Sequence, residues 1–305
     1  MFEVLGFYKF IKIKSLKKNK ILLQDFLIKK NIRGTIIIAN EGLNGTISGE
    51  IKNIKNTISK LKKTFSFKEF DNNNNSKSTF QPFHKPKVKI KKEVVPMNLT
   101  LNSKERNMES HLDPKEWNEL IKNKDTHIID TRKPFEFDVG TFKKSVNPDV
   151  NNFRDFPKYL NKLKKNKPVA MFCTGGIRCE KISSYMIKKG FRDVNQLYGG
   201  ILNYLENTPN TKSLWDGECF VFDNRVSVQN ELKDGTFKLC HACRHPLSKK
   251  QLKSKKYSKG VSCPNCYGKI SDSKKSSLID RNKQIAVAKK KGLYSPYIKQ
   301  TVIDV

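Results

Sequence analysis

Two cysteines bracket a glycine turn in "PVAMFCTGGIRCEKISSYMIKKGF", residues 168–191. An apolar run ends at Cys173. Thr174, Gly175, Gly176, Ile177, Arg178 and Cys179 then lead into a stretch with helical spacing. Adjacent glycines let backbone amides turn inward without a Cβ clash, and amides converging at a helix start form a positive pocket. A thiol in such a pocket loses its proton near neutrality, and Arg178 adds a permanent charge with a fork of donors. The pattern therefore predicts an activated nucleophile at Cys173. The plainer reading, a buried cysteine capping a strand, leaves the glycines and the arginine unexplained. Cys179, at the first helical turn, is either a small packing residue or a second thiol that resolves an oxidised Cys173, its own pKa lowered by the helix dipole.

Four further cysteines form two Cys-x-x-Cys pairs, Cys240/Cys243 and Cys263/Cys266, separated by nineteen residues. Each pair places two thiolates on one tight turn. Four sulfurs close a tetrahedron with no open position, so the spacing predicts a structural Zn2+ site. His241 and His245 are expected outside the ligand set. Cys219, flanked by apolar residues, is expected to be buried. Seven cysteines without a secretory leader argue against a disulfide framework. No stretch reaches the length of a membrane span. A cytoplasmic protein is expected.

The elements that must position these groups are legible as three units. Residues 1–97 give a β-α-β-β-α-β order, which predicts a ferredoxin-like α+β domain. Its strands are read in "FEVLGFYKFIKI", "RGTIIIA", "NGTISG" and "FSFKEFD", its helices in "SLKKNKILLQDFLIKKN" and "IKNIKNTISKLKK". Asn40, Gly42, Asn44 and Gly45 are read as turn residues, "DNNNNSKS" as a polar run, and "KVKIKKEVV" as a further strand. Residues 98–110 are expected to be a linker. In 111–211, Asp113 before Pro114 marks a helix start, and strands then alternate with helices, predicting a largely parallel α/β sheet. Residues 212–305 make a basic, Cys-rich C-terminal region.

Within 111–210, "HIIDTRKPFEFDVGTFKKSVN", "FCTGGIRC" and "LYGGI" resemble the rhodanese family. The resemblance implies a persulfide-forming role for Cys173, closure of the cradle by Arg178, and support of the loop by Asp130 and Arg132. Related phosphatases carry five residues between Cys and Arg. Four stand here, Thr174 to Ile177, which suits a sulfur-sized group. Taken together and in order, "NEGLNGTISG", "FCTGGIRCEK", "WDGECFVFDNRVSV", "CHAC" and "GVSCPNCY" resemble the bacterial tRNA uridine(34) hydroxylase family. That implies O2-dependent formation of 5-hydroxyuridine at the wobble position.

Charge is compatible with such a partner. The chain of 305 residues carries a formal +32, and RNA phosphates supply most of the affinity in such complexes. The richness in Lys, Asn and Ile has a second source in an AT-biased genome. The anticodon loop offers a single-stranded base that can be splayed out. Two routes for the chemistry are open at this stage: addition of Cys173 to C6 of the uracil, or a Cys-bound peroxy or sulfenate oxygen donor. No flavin, haem or facial-triad pattern is present, and the electron donor is unassigned. Persulfide transfer to a tRNA or protein acceptor is the alternative function, and a non-catalytic RNA-binding protein the third.

Overall fold

The structure, a computed structural model, describes residues 1–98, 111–150 and 152–292. The chain opens with β1 (Phe2–Phe10), α1 (Leu16–Lys29), β2 (Arg33–Ala39), β3 (Gly42–Gly49), α2 (Ile51–Phe65), β4 (Asn72–Ser78) and β5 (Pro86–Ile90). The sheet order is β4-β1-β3-β2-β5, with the first four strands antiparallel and β5 parallel to β2. This is the ferredoxin-like arrangement with one added edge strand. Successive strand residues face opposite sides, so Leu5 and Phe7 of β1 join Leu23, Leu27, Ile54 and Leu61 of the helices in one core. Tyr8 and Phe10 face the other way, against Val94 and Ile177.

Two local expectations fail. "FSFKEFD" forms no strand. Phe67 and Phe70 fold back on the helix-side core, with Phe70 stacked 5.0 Å from Phe7. The fourth strand is the asparagine run itself, paired along β1 from Phe2↔Ser78 to Tyr8↔Asn72. Asparagine has poor strand propensity; here alternate side chains, Asn72 and Asn74, are buried, so tertiary contact outweighs propensity. The hairpin turn is also shorter than expected. Ala39 pairs with Gly42 across Asn40 and Glu41, which leaves Asn44 and Gly45 inside β3.

The next unit comprises β6 (His111–Leu112), α3 (Pro114–Lys122), β7 (His127–Asp130), α4 (Pro134–Phe137), β8 (Gly140–Phe142), α5 (Phe156–Leu160), β9 (Val169–Phe172), α6 (Ile177–Lys188), β10 (Val194–Leu197) and α7 (Gly200–Asn207). Four of its strands form a parallel sheet, β6-β10-β9-β7. Asp113 caps α3 through a complete capping box with Glu116. Residues of β9 alternate between two cores: Ala170 and Phe172 pack with Trp117 and Tyr204, Met171 and Cys173 with Phe156 and Met186. The sheet is thus covered by α3 and α7 on one face and by α5 and α6 on the other. The expected linker falls outside the described residues apart from Asn98.

The remaining residues form short hairpins and two helices. β11 (Trp215–Gly217) pairs with β8, and β12 (Cys219–Phe220) pairs with β13 (Ser227–Val228). Cys219, Val221 and Val228 enter the same core as Trp117. β14 (Lys238–Leu239) pairs with β15 (Pro246–Leu247), followed by α8 (Lys249–Leu252) and a 19-residue α9 (Asp272–Lys290). Lys274, Lys275, Lys283, Lys289 and Lys290 of α9 are exposed.

Candidate active site and four-cysteine cluster

β9 delivers Cys173 to the start of a tight loop that ends where α6 begins. Gly176 holds φ +90, a left-handed conformation that a side chain resists, and its N–H donates to Cys173 Sγ at 3.1 Å. The loop carbonyls are tied from behind by α7. Ile201 N–H donates to Cys173 O at 3.0 Å and Leu202 N–H to Thr174 O at 3.1 Å. This close approach requires a glycine at the head of α7: a Cβ on Gly200 would lie 2.5 Å from Cys173 O and 2.7 Å from Gly176 N. With the carbonyls taken from one side, the amides gather around the sulfur on the other.

Cys173 is buried, which by itself raises a thiol pKa. A hydrogen bond from Cys179, the charge of Arg178 and the amides of Arg178 and Cys179 together outweigh burial and bring it down to about 6. Cys173 is therefore mostly thiolate at neutral pH. Cys179 behaves in the opposite way to the sequence expectation. Burial and the neighbouring Cys173 push its pKa well up, although Thr131 and Arg178 act against this. It stays protonated, and a protonated thiol is what the Cys173 sulfur needs as a donor.

Arg178 is fixed by a two-bond fork to Glu136, Nη1 to Oε2 and Nη2 to Oε1, both 3.0 Å, with a further bond from Nη2 to Thr174 Oγ1 at 3.3 Å. Glu136 is fully buried at the base of α4. Burial raises its pKa, but the charge and hydrogen bonds of Arg178, the charge of Arg132 and the Lys133 amide together bring it below the usual carboxylate value. In the sequence Glu136 stands out only as part of the rhodanese-like stretch "HIIDTRKPFEFDVGTFKKSVN". Asp130 and Arg132 form a second buried fork, with Arg132 Nη2 2.6 Å from Asp130 Oδ2 and 2.6 Å from Gly140 O. Asn147 Nδ2 donates to the carbonyls of both residues. This pair pins β7 to β8 behind the loop. Between them, Thr131 reaches it directly, donating to Phe172 O at 2.9 Å with its Oγ1 3.7 Å from Cys179 Sγ.

The free face of the N-terminal sheet forms the opposite wall. Asn72 Nδ2 donates to Gly175 O at 3.1 Å and Asn74 Nδ2 to Gly199 O at 3.5 Å. Tyr8 Oη donates to Glu180 Oε1 at 2.8 Å, and His111 Nε2 lies 3.1 Å from the same oxygen. Lys181, fully buried, meets Glu41 at 2.7 Å, Glu93 at 2.9 Å and Val95 O at 2.9 Å. The two charged residues after Cys179 thus lock α6 to the N-terminal sheet. Between the walls lies a cavity of about 760 Å³, lined by Cys173, Thr174, Arg178, Tyr8, Asn44 and Asn74 among others. Neither asparagine of β4 carried a sequence signal, because a run of like polar residues reads as a loop.

The second predicted site also assembles. The sulfurs of Cys240, Cys243, Cys263 and Cys266 lie within 4.8 Å of one another. The sulfurs are 4.0 Å apart for Cys240–Cys266 and 3.7 Å apart for both Cys243–Cys263 and Cys263–Cys266. Zinc–sulfur bonds of about 2.3 Å in a tetrahedron put sulfurs roughly 3.8 Å apart, so the donor set fits a metal ion of that size. His241 and His245 stand outside the set.

The parallel sheet and the Cys-to-Arg loop define a rhodanese-like domain, joined here to a ferredoxin-like one. Residues 113–207 match the rhodanese-like domain, and residues 2–94 match the UPF0176 acylphosphatase-like domain. The tRNA uridine(34) hydroxylase of Pelagibacter ubique (strain HTCC1062) is 65% identical over 292 residues, 96% of this chain and 97% of its own length. That of Teredinibacter turnerae is 42% identical over 292 residues, 95% and 91% respectively. A rhodanese-related protein from Thermoplasma volcanium aligns with 32% of this chain and 94% of its own, at 23% identity and a TM-score of 0.29, a likeness too slight to argue from. The chain belongs to the tRNA uridine(34) hydroxylase family.

Proposed function

We propose that this protein hydroxylates uridine 34 of tRNA to 5-hydroxyuridine, with Cys173 as the nucleophile and O2 as co-substrate. The observation that carries the mechanism is a buried thiolate, Cys173, on a cavity large enough for a base and walled by two domains. The relatives named for this activity span nearly the whole chain.

The thiolate forms an S–C6 bond while the C5=C6 electron pair shifts into an enolate across C5, C4 and O4. The carbon C5 takes one oxygen atom of O2. The other leaves as water, on two electrons and two protons from an external donor. Loss of the C5 proton then expels the Cys173 thiolate and restores the double bond. Arg178, held by Glu136, and the loop amides keep the sulfur anionic for attack and accept it again as a leaving group. A protonated Cys179 donates to the same sulfur. Asp130 and Arg132 act by holding the sheet beneath the loop. On this reading the protein is an O2-dependent oxidoreductase of the cytoplasm that recognises the anticodon loop. Cys240, Cys243, Cys263 and Cys266 would hold Zn2+, which supplies a structural crosslink in place of a larger core. Among the described residues no helix is long and apolar enough to cross a membrane.

Nucleoside mass spectrometry tests this. A deletion strain lacking any redundant route should lose 5-hydroxyuridine derivatives, wild type should restore them, and Cys173→Ala should not. Persistence of the nucleoside in the deletion strain sinks the reading, and loss of 2-thiouridine in its place makes the protein a persulfide transferase.

A further inference from the structure

Beside the cavity over Cys173 lies a second, of about 520 Å³. Thr35, Phe83 and Phe222 line both, so the two share a wall. The second cavity is floored by aromatics. Phe135 meets Phe220 edge-on at 5.1 Å, and Phe220 meets Phe222 edge-on at 5.0 Å. Phe222 is 65% exposed. With Phe83, Phe135 and Phe220 it makes a contiguous apolar surface rimmed by polar residues, the kind of patch that marks a binding groove.

The rim is basic and is assembled from separate parts of the chain. Lys85 and Lys87 come from the start of β5, and Arg244 from the first cysteine knuckle. Arg244 has φ +66 and is tied back by its N–H to Cys240 O at 2.9 Å. Asp223, the acidic residue of the lining, is neutralised by Arg225, with bonds of 3.0 and 2.7 Å. The rim therefore presents net positive charge. His84 reports that field: burial first, then Arg244, Arg33 and Lys87, hold its pKa below the usual histidine value.

We propose that this groove is a single-stranded RNA subsite for the nucleotide next to the target uridine, whose base stacks on Phe222 while its phosphate meets Lys85, Lys87 and Arg244. The inference rests on the reading of a tRNA substrate and adds the register of the RNA on the surface. A base lying on an aromatic platform beside a cationic track is the general mode of single-strand binding. The shared wall makes the two cavities neighbours, as successive bases of one strand require. It also gives the four-cysteine cluster a task, the presentation of Arg244.

The test is a binding cycle on the full chain. Fluorescence anisotropy would compare wild type and Phe222→Ala on three synthetic anticodon stem-loops: intact, abasic on the 5′ side of the target uridine, and abasic on the 3′ side. Phe222→Ala should weaken binding of the intact RNA roughly tenfold, as expected for one lost stacking contact. It should have no effect on one of the two abasic RNAs. An equal loss on all three, or no loss on the intact RNA, overturns the proposal. Arg244→Ala should make the slope of log K against log salt shallower by about 0.7, one single-strand phosphate; an unchanged slope removes Arg244 from the subsite. Mass spectrometry of the wild-type reaction on the intact RNA reports separately on the hydroxylase reading.

Discussion

At the scale of single residues, the two thiols of the loop divide one proton unequally. Cys173 lies low, at about 6, and Cys179 is pushed well up. Burial raises both. The difference is that Cys173 sits where the loop amides and the Arg178 charge converge, whereas Cys179 has the negative Cys173 beside it. Because the anionic form of Cys173 is the reactive one, its alkylation rate should rise with pH through about 6 and level off above. Cys179→Ala removes a donor to the thiolate. A hydrogen bond to a charged group is worth about 1.5–3 kcal/mol, so the midpoint should move up by roughly 1–2 units. Iodoacetamide kinetics across the pH range measure this, with Cys173→Ser as the blank. A midpoint that stays put would show that Cys179 does not act on Cys173 through a proton. Glu136→Gln leaves Arg178 charged and removes a carboxylate from its neighbourhood, so the same midpoint should not rise; loss of the fork should appear instead as faster exchange of the loop amides.

At the scale of elements, α6 is the piece that joins the two domains. Its first turn carries Arg178 into the cradle, and Glu180 and Lys181 into the interface with the N-terminal sheet. Lys181→Ala would remove the cation that lies between the buried Glu41 and the half-buried Glu93. Breaking a buried pair from one side costs about 3–5 kcal/mol, so a clear fall in Tm is expected by calorimetry. Replacing the set together, with Lys181→Met, Glu41→Gln and Glu93→Gln, should recover part of that loss, since the cost is the unpaired charge and not the absent bridge. The sequence made the alternating elements of the second domain legible, because Asp113–Pro114 and the apolar strands each obey a local rule. It also made the cysteine knuckles legible, because ligand spacing is a local property. Asn72 and Asn74 were opaque for the opposite reason. Their use as strand residues depends on Gly175 and Gly199, which lie 103 and 125 residues away. Lys181 was opaque in the same way: nothing in "RCEKISS" separates a buried lysine from a solvated one.

For the whole molecule, net charge is a poor guide to where RNA lies, since lysines are spread along the chain. The geometry is more specific. The cavity over Cys173, the aromatic groove and the first cysteine knuckle follow one another across the surface. The knuckles are in turn tied to α9: Asn282 Nδ2 donates to Lys259 O at 2.6 Å, and Leu278 is buried. Metal removal should therefore act on RNA binding and not on the thiol. Purified protein should contain about one zinc ion per chain, since four thiolates close one tetrahedral site. Extracting it with a chelator should release the fold of the knuckles, because binding energy at such a site is folding energy. Arg244 and the lysines of α9 would then lose their fixed positions. The expected result is weaker tRNA binding with a shallower salt dependence, alongside an unaltered pH profile for Cys173 alkylation, whose determinants lie in the parallel sheet. A chelated protein that binds tRNA as tightly as before, with the same salt slope, would separate the cluster from RNA recognition and confine it to holding the C-terminal hairpins together.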